Sequence, residues 1–399
     1  MKILMISDVY FPRINGVSTS IATFRRELKA MGHEVTLIAP AYPGHEEPEA
    51  DIIRVPSRYV PVDPEDRLMR RGHVLRLTDR LRAEGYDLVH IQTPFLAHYL
   101  GVTLAKRLGI PRVESYHTFF EEYLFHYLPW LPKRWLRYAA RAFSRAQCND
   151  VDGVVVPSVA MLEVLRAYGV RSRDAIIPTG IELDDFAKGD GAAFRARLGI
   201  APERPTLVHV GRIAHEKNID FLLRTVARVR REVSDLALVI AGEGPALGHV
   251  KRLAGELGLS DATYFVGYLD RRSTLLDCYR AGDAFIFASR TETQGLVLLE
   301  SMAVGVPVVS TAVMGTRDIL GPGRGALVAE EDEADFARKV VRLLRDRALR
   351  DRLGAEAREY VQEWTARALA RRMLGFYEDV ATEHAVSSRA TTQRGHGEA

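Results

Sequence analysis

Short, mostly apolar runs alternate with amphipathic helical stretches from one end of the chain to the other. A strand that is apolar on both faces has to be covered on both, and a parallel sheet between two helix layers does this. In the first half the runs are Ile3–Ile6, Val35–Ile38, Leu88–Ile91, Arg112–Ser115, Gly153–Val156 and Ala175–Ile177. In the second half they are Thr206–Val210, Ala237–Ala241, Thr263–Val266, Ala284–Ala288, Pro307–Ser310 and Ala326–Val328. Two consecutive sets predict an α/β chain of two doubly wound domains. A length of 399 residues agrees, being too great for one ordinary core.

The polar stretch Glu182–Arg204, with Asp184, Asp185, Lys188, Gly189, Asp190 and Gly191, marks the join. The expected boundaries are a first domain over 1–182, a linker over 183–204 and a second domain over 205–360. A C-terminal helix over 361–380 follows and is expected to return to the first domain. Apolar periodicity is lost from about Ala385, so 385–399 is expected to be a disordered tail.

A net charge of +3 is too near balance for a dedicated nucleic-acid binder. The run Met1–Ile6, interrupted by Ser7 and Asp8, is too short for a signal peptide, and no stretch reaches the length needed to span a bilayer. Cys148 and Cys278 have no metal-ligand spacing and suit a reducing compartment. These features together predict a cytoplasmic protein.

In doubly wound sheets ligands sit beyond the carboxyl ends of the strands, so the residues after each strand matter most. After the first strand, Asn15-Gly16-Val17-Ser18 leads into a helix expected near Thr19. Gly16 at a helix entrance lets backbone N–H groups approach a phosphate, favoured by the helix dipole. An ordinary Asn-Gly turn would look the same. The GxGxxG fingerprint is absent, which counts against a dinucleotide oxidoreductase.

After the strand Thr206–Val210 comes Gly211-Arg212-Ile213-Ala214-His215-Glu216-Lys217-Asn218. Arg212 and Lys217 can supply two cations to a diphosphate, and Gly211 permits close backbone approach. Gly242-Glu243-Gly244 is a second glycine-rich turn after a buried strand, uninformative by itself. The segment Thr291 to Glu300 carries two acids eight positions apart, Glu292 and Glu300. If the segment is helical they lie about 11 Å apart along the axis. One can then reach a transferred sugar while the other takes ribose hydroxyls. An acid within the apolar stretch Leu296–Leu299 onward is costly without a partner or ligand.

Gly211-Arg212 with Glu216-Lys217-Asn218, and the E-x7-E pattern from Glu292 to Glu300, resemble the retaining glycosyltransferases of group 1, or family 4. The resemblance runs from Met1 to the helix ending near Tyr377 and implies the GT-B fold, two Rossmann-like domains facing across a cleft. It implies that Arg212 and Lys217 hold the donor diphosphate, that Glu300 binds ribose and that Glu292 contacts the donor sugar. It also places Gly16, Val17, Gly211, Gly244, Gln294, Gly295, Leu296 and Val297 among the donor-binding positions. His117, directly after the strand Arg112–Ser115, matches the histidine beside the reacting carbon. One departure is Thr293-Gln294, where the family usually carries an aromatic. Glu-Thr-Gln-Gly is similar to the branch that glycosylates diacylglycerol and related lipids.

The resemblance implies catalysis with retention of configuration, His117, Glu292, Arg212 and Lys217 being the catalytic set. No cofactor beyond the nucleotide-sugar substrate is expected, and no metal, because two cations can neutralise the diphosphate. UDP-glucose is the expected donor and a lipid hydroxyl the expected acceptor. From Tyr123 to Asn149 there is no acidic residue. Lys133, Arg134, Arg137, Arg141 and Arg145 are interleaved there with Trp130, Leu131, Trp135, Leu136 and Phe143. The Trp130–Arg145 region is therefore expected to touch the anionic inner face of the cell membrane. A second basic run, Arg67, Arg70, Arg71, Arg76, Arg80 and Arg82, lies in the same half. Rival possibilities are a mannosyl- or glucosyltransferase acting on a phospholipid or polysaccharide precursor, a nucleotide-sugar epimerase and a non-catalytic homologue.

Overall fold

The computed structural model describes residues 1–13, 15–45, 47, 49–60, 63–117, 133–270 and 273–395. The chain forms two compact units: Met1–Gly180 with the C-terminal chain from Ala366, and Ile181–Thr365.

The strands of the first unit are β1 (Lys2–Ile6), β2 (Glu34–Pro40), β3 (Ile52–Val55), β4 (Ser57–Val60), β5 (Asp63–Met69), β6 (Leu88–Ile91), β7 (Arg112–Ser115), β8 (Gly153–Val156) and β9 (Arg173–Ile176). Seven of them form a parallel sheet in the order β3-β2-β1-β6-β7-β8-β9. The order reverses at β1. Strands β4 and β5 form a separate antiparallel ribbon. Neither that ribbon nor β3 is among the expected strands. β3 is an edge strand with Arg54 inside it, and Asp63-Pro64-Glu65-Asp66-Arg67 in β5 lacks apolar alternation. Arg67 of the anticipated basic run belongs to this ribbon, and its guanidinium lies over the Tyr59 ring.

The C-terminal helix Ala366–Gly395 packs on this sheet through Leu369, Ala370, Met373, Phe376, Tyr377 and Val380, all buried. Each large apolar side chain is worth about 1.5–3 kcal/mol of burial, so the attachment is strong. Gly153 in β8 makes room for it: a Cβ there would lie 2.8 Å from the Phe376 ring. Tyr377 Oη meets His90 Nδ1 at 2.6 Å, which Gln92 also approaches at 2.9 Å, while His90 Nε2 meets Ser115 Oγ at 2.9 Å. The helix runs past Ala385 to Gly395, so the expected tail is corrected for that stretch. Residues 385–394 contain no glycine or proline to stop a helix already nucleated and packed.

The second unit carries β10 (Thr206–Val210), β11 (Ala237–Ala241), β12 (Thr263–Gly267), β13 (Ala284–Phe287), β14 (Val308–Thr311) and β15 (Ala326–Ala329). They form a parallel sheet ordered β12-β11-β10-β13-β14-β15, so the order reverses at β10. The crevice between β10 and β13 is the switch point where ligands bind in such sheets.

The stretch expected as a linker is folded into this unit. Leu183–Ala187 is a 3-10 turn and Gly191–Arg197 a helix, with Phe194 and Ile200 buried in its core. Its polar residues serve local ends: Asp190 caps the helix by accepting from Ala193 N–H at 2.9 Å. Gly191 lies against helix Thr274–Arg280, where a Cβ would sit 2.3 Å from the Arg280 carbonyl oxygen. Asp184 and Asp185 are exposed.

Candidate functional site

In the second unit three loops meet beyond the carboxyl ends of β10, β11 and β13. Those after β10 and β11 are joined backbone to backbone: Gly211 N–H donates to Ala241, Ile213 N–H to Glu243 and Ala246 N–H to Ile213. The contact leaves no room for side chains. A Cβ on Gly242 would lie 1.9 Å from the Gly211 oxygen, and one on Gly244 2.3 Å from the Ile213 oxygen. Gly244 is therefore required by the packing of its own chain, whatever it does for a ligand. Gly211 differs, since only His209 Nε2, at 3.8 Å, comes within 4 Å of a Cβ placed there.

Lys217 ends the short 3-10 turn His215–Lys217, and Asn218 follows with a left-handed backbone. Asparagine tolerates that conformation, and its side chain donates to Glu331 at 3.2 Å. Arg290 N–H donates to the Glu216 carbonyl, tying this loop to the one after β13. Lys217 and Glu292 then form an ion pair, each about one-fifth exposed. Glu292 is held from the other side, its carbonyl accepting from Gly315 N–H at 2.9 Å. A Cβ on Gly315 would lie 2.0 Å from the Thr293 oxygen, so glycine is needed for this clamp too.

The interval from Glu292 to Glu300 is not one helix. Gly295 has φ +94° and breaks the segment, and the helix spans only Leu296–Ala303. Glu292 thus projects from a loop, which corrects the helical spacing. No side chain caps this helix; its first turn, with Leu296 and Val297 half-buried, carries no acidic residue. Such an end favours an anion. Gln294, just before Gly295, is buried. Glu300 is buried and accepts from Tyr279 Oη at 2.7 Å. The two acids are not partnered with each other. Arg212 is exposed and has no ion-pair or hydrogen-bond partner among the described residues.

In the first unit, helix Gly16–Ala30 begins three residues earlier than expected, capped by Asn15, which accepts from Ser18 N–H at 2.8 Å. Nothing lies within 4 Å of a Cβ on Gly16, and its φ is not positive. Neither backbone nor packing demands glycine there, which fits close approach of a ligand. Val17 is half-buried. Ser18 Oγ, one turn in, is buried without a partner among the described residues.

His117 follows β7, and its Nε2 is buried with no hydrogen-bond partner among the described residues. Burial holds its pKa near 4, so the ring is neutral at pH 7. Thr118–Tyr123, Trp130 and Leu131 lie outside the described residues. Helix Lys133–Asn149 exposes Arg134, Trp135, Arg137, Tyr138, Arg141 and Arg145, and buries Leu136, Ala140, Ser144 and Gln147.

Sequence reasoning missed Asp8. Its carboxylate oxygens both accept Ala97 N–H at 3.0 Å, and Thr93 Oγ donates to one at 2.9 Å. Asp8 thereby caps helix Leu96–Leu108, which has Phe95 at its own cap position. Burial pushes its pKa up to about 6. An acid just past a strand, paired with a helix lacking its own cap, is the signal that could have found it. Buried His98 and Glu114 pair nearby at 3.0 Å. Among the described residues no group of three His, Cys, Asp or Glu side chains is placed to hold a metal ion.

Residues 190–360 match the family model for glycosyl transferases group 1, and residues 14–185 match that for glycosyltransferase family 4. The chain is 36% identical to an alpha-monoglucosyldiacylglycerol synthase of Streptococcus pneumoniae, over 78% of this chain and 71% of that one. It is 30% identical to a GDP-mannose-dependent alpha-mannosyltransferase of Mycolicibacterium smegmatis, over 95% and 98%. Among solved structures it superposes on sucrose-phosphate synthase of Thermosynechococcus elongatus with TM-score 0.75 and 23% identity, covering 96% and 100%. That likeness shows the fold, GT-B.

Proposed function

We propose that this chain, which belongs to the group 1, family 4 glycosyltransferases, moves glucose from UDP-glucose to a lipid hydroxyl such as that of diacylglycerol, retaining the anomeric configuration. A cation and an acid meet where the strand order of the second sheet reverses, and a second, buried acid follows on the next helix. Lys217 comes from the loop after β10, Glu292 from the loop after β13 and Glu300 from the helix that follows. That arrangement carries the proposal.

Lys217, Arg212 and the N-terminus of helix Leu296–Ala303 would receive the diphosphate and stabilise the charge that grows on it as the sugar departs. Glu300, already oriented by Tyr279, would bind ribose. Glu292 would contact the sugar, and neutral His117 would hydrogen-bond near its reacting carbon. Gly16 and Val17 would approach the phosphates. The departing phosphate oxygen would take the acceptor's proton on the same face, so the scheme needs neither a protein nucleophile nor a metal.

Glucose and a glyceride acceptor are supported by the name of the pneumococcal relative, and UDP by the resemblance of Glu-Thr-Gln-Gly to the lipid branch. The mannosyltransferase matches more of the chain, so GDP-mannose is the competing donor. The face of helix Lys133–Asn149 bearing Arg134, Trp135, Arg137, Tyr138, Arg141 and Arg145 would rest on anionic lipid, worth about 1 kcal/mol per basic residue near the surface. No helix among the described residues is long and apolar enough to cross a membrane.

Calorimetry with UDP, GDP and ADP tests the donor, and flotation with neutral and anionic vesicles tests the surface. Tightest binding of UDP and preferential capture by anionic vesicles are expected. Preference for GDP transfers the reading to a mannosyltransferase, and equal or absent flotation removes the membrane contact.

A further inference from the structure

At the switch point of the second sheet, β10 and β13 separate before either ends. Their register runs Leu207↔Ala284 and Val208↔Phe285, although β13 continues to Phe287. A side chain bridges the fork: His209 Nδ1 donates to the Ile286 carbonyl at 3.1 Å. A carbonyl only accepts, so Nδ1 carries the proton and Nε2 presents a lone pair. The ring is 1% exposed and stacks with Phe285 and Phe287, at centroid distances of 6.5 and 5.7 Å, so packing fixes its direction. Nε2 is buried and has no partner among the described residues. It lies 3.8 Å from the Cβ position of Gly211, the glycine whose side-chain space is otherwise empty. A buried acceptor left unmet is costly and calls for a physical account.

We propose that His209 forms the floor of the diphosphate site and takes up a proton at Nε2 when a nucleoside diphosphate binds, turning the unmet acceptor into a buried donor beneath the phosphates. The inference rests on the donor-site reading of this crevice. In the free protein, burial and the nearby charge of Lys217 hold the imidazole pKa at about 4, so it is neutral. The other titratable groups on the surrounding elements are Arg212, His215 and Glu216 in the same loop, Glu243 after β11, Arg290 and Glu292 after β13, Glu300 on helix Leu296–Ala303, and Asp277, Cys278, Tyr279 and Arg280 on helix Thr274–Arg280. Glu292 is engaged by Lys217 and Glu300 by Tyr279. Incoming phosphate charge offsets Lys217 and favours the imidazolium. The proton comes from solvent and returns there when the nucleotide leaves; only the Nε2–H bond is made and broken. Because the leaving diphosphate gains charge during transfer, the protonated ring favours the transition state over the ground state.

The test uses the full chain with histidine labelled by 15N, titrated with UDP, GDP and ADP near pH 6.5. Calorimetry in two buffers of contrasting ionisation enthalpy compares wild type with His209→Asn. Asparagine keeps an N–H for the Ile286 carbonyl and deletes the second nitrogen. The comparison also cancels protonation of the nucleotide itself. The His209 Nε2 resonance is expected to pass from the unprotonated to the protonated range on binding, with wild type taking up as much as one proton more than the variant. At pH 6.5, where the free imidazole is neutral, nucleotide affinity in the variant should fall roughly tenfold for each unit by which the histidine pKa in the complex exceeds that pH. Binding that leaves Nε2 unprotonated overturns the inference and spares the donor site. If none of the three nucleotides binds wild type, the donor-site reading falls and this inference falls with it. Should the variant fail to fold, the wild-type resonance decides.

Discussion

Neutralising either partner of the Lys217–Glu292 pair should move nucleotide affinity in opposite directions. The side chains are 18% and 20% exposed, between a surface pair worth about 0–1 kcal/mol and a buried one whose rupture costs about 3–5. About 2 kcal/mol is a fair value here. In the free protein Glu292 occupies the ammonium that a diphosphate must capture, so binding has to overcome part of that pairing. Glu292→Gln releases the competition and should tighten UDP binding by about 1 kcal/mol, roughly fivefold in Kd, while turnover falls because the contact with the sugar is lost. Lys217→Met removes a charged hydrogen bond worth about 1.5–3 kcal/mol and leaves the Glu292 carboxylate facing the phosphates. Affinity should therefore drop roughly 10- to 100-fold, and turnover with it. Calorimetry with UDP at one ionic strength, on wild type, both single variants and the double variant, reads these terms separately. Unchanged UDP affinity in Lys217→Met, or equal weakening by both single changes, would refute the reasoning.

Other expectations concern the glycines, the buried acid and the C-terminal helix. Gly16→Ala meets no atom within 4 Å, so stability should stay within about 0.5 kcal/mol of wild type while the donor KM rises. Gly244→Ala, with its Cβ 2.3 Å from the Ile213 oxygen, should cost more than about 2 kcal/mol in chemical denaturation. Lost stability in the first variant or none in the second contradicts this assignment. The folded pKa of Asp8, about 6, lies above its ordinary 3.8, so the native state binds the extra proton between these values. Its contribution is complete below pH 3.8 and is lost as pH rises to 6, about 3 kcal/mol in all. Asp8→Asn should flatten that part of the stability–pH curve; an unchanged slope would show that other groups produce it. Tyr377→Phe removes the 2.6 Å contact to His90 and should cost about 1–2 kcal/mol in thermal unfolding; an unchanged midpoint would count against a role for this contact.

The sheets were legible because their strands are apolar on both faces, a pattern that runs such as Leu207–Val210 and Ala237–Ala241 announce. β3 and the β4–β5 ribbon were not, since an edge strand and a two-stranded ribbon bury too little to write a hydrophobic pattern. The cation and both acids of the candidate donor site stood out by type and spacing, but the bend at Gly295 did not, because E-x7-E fits a helix equally well. Gly244 shows the converse difficulty: a glycine demanded by backbone contact looks the same in sequence as one demanded by a phosphate. Asp8 and His209 were hidden for one reason. Each acts on backbone remote in sequence, on Ala97 and Ile286, and only the folded chain brings those groups together.

The central claim, sugar transfer from UDP-glucose to a lipid hydroxyl, is tested most directly by incubating the protein with labelled UDP-, GDP- and ADP-sugars and diacylglycerol vesicles, then extracting the lipid phase. Label should enter the organic phase from UDP-glucose and from no other donor. An empty organic phase, with nucleotide released only when a soluble glycan is supplied, would contradict the lipid acceptor, and label from GDP-mannose alone would contradict the donor.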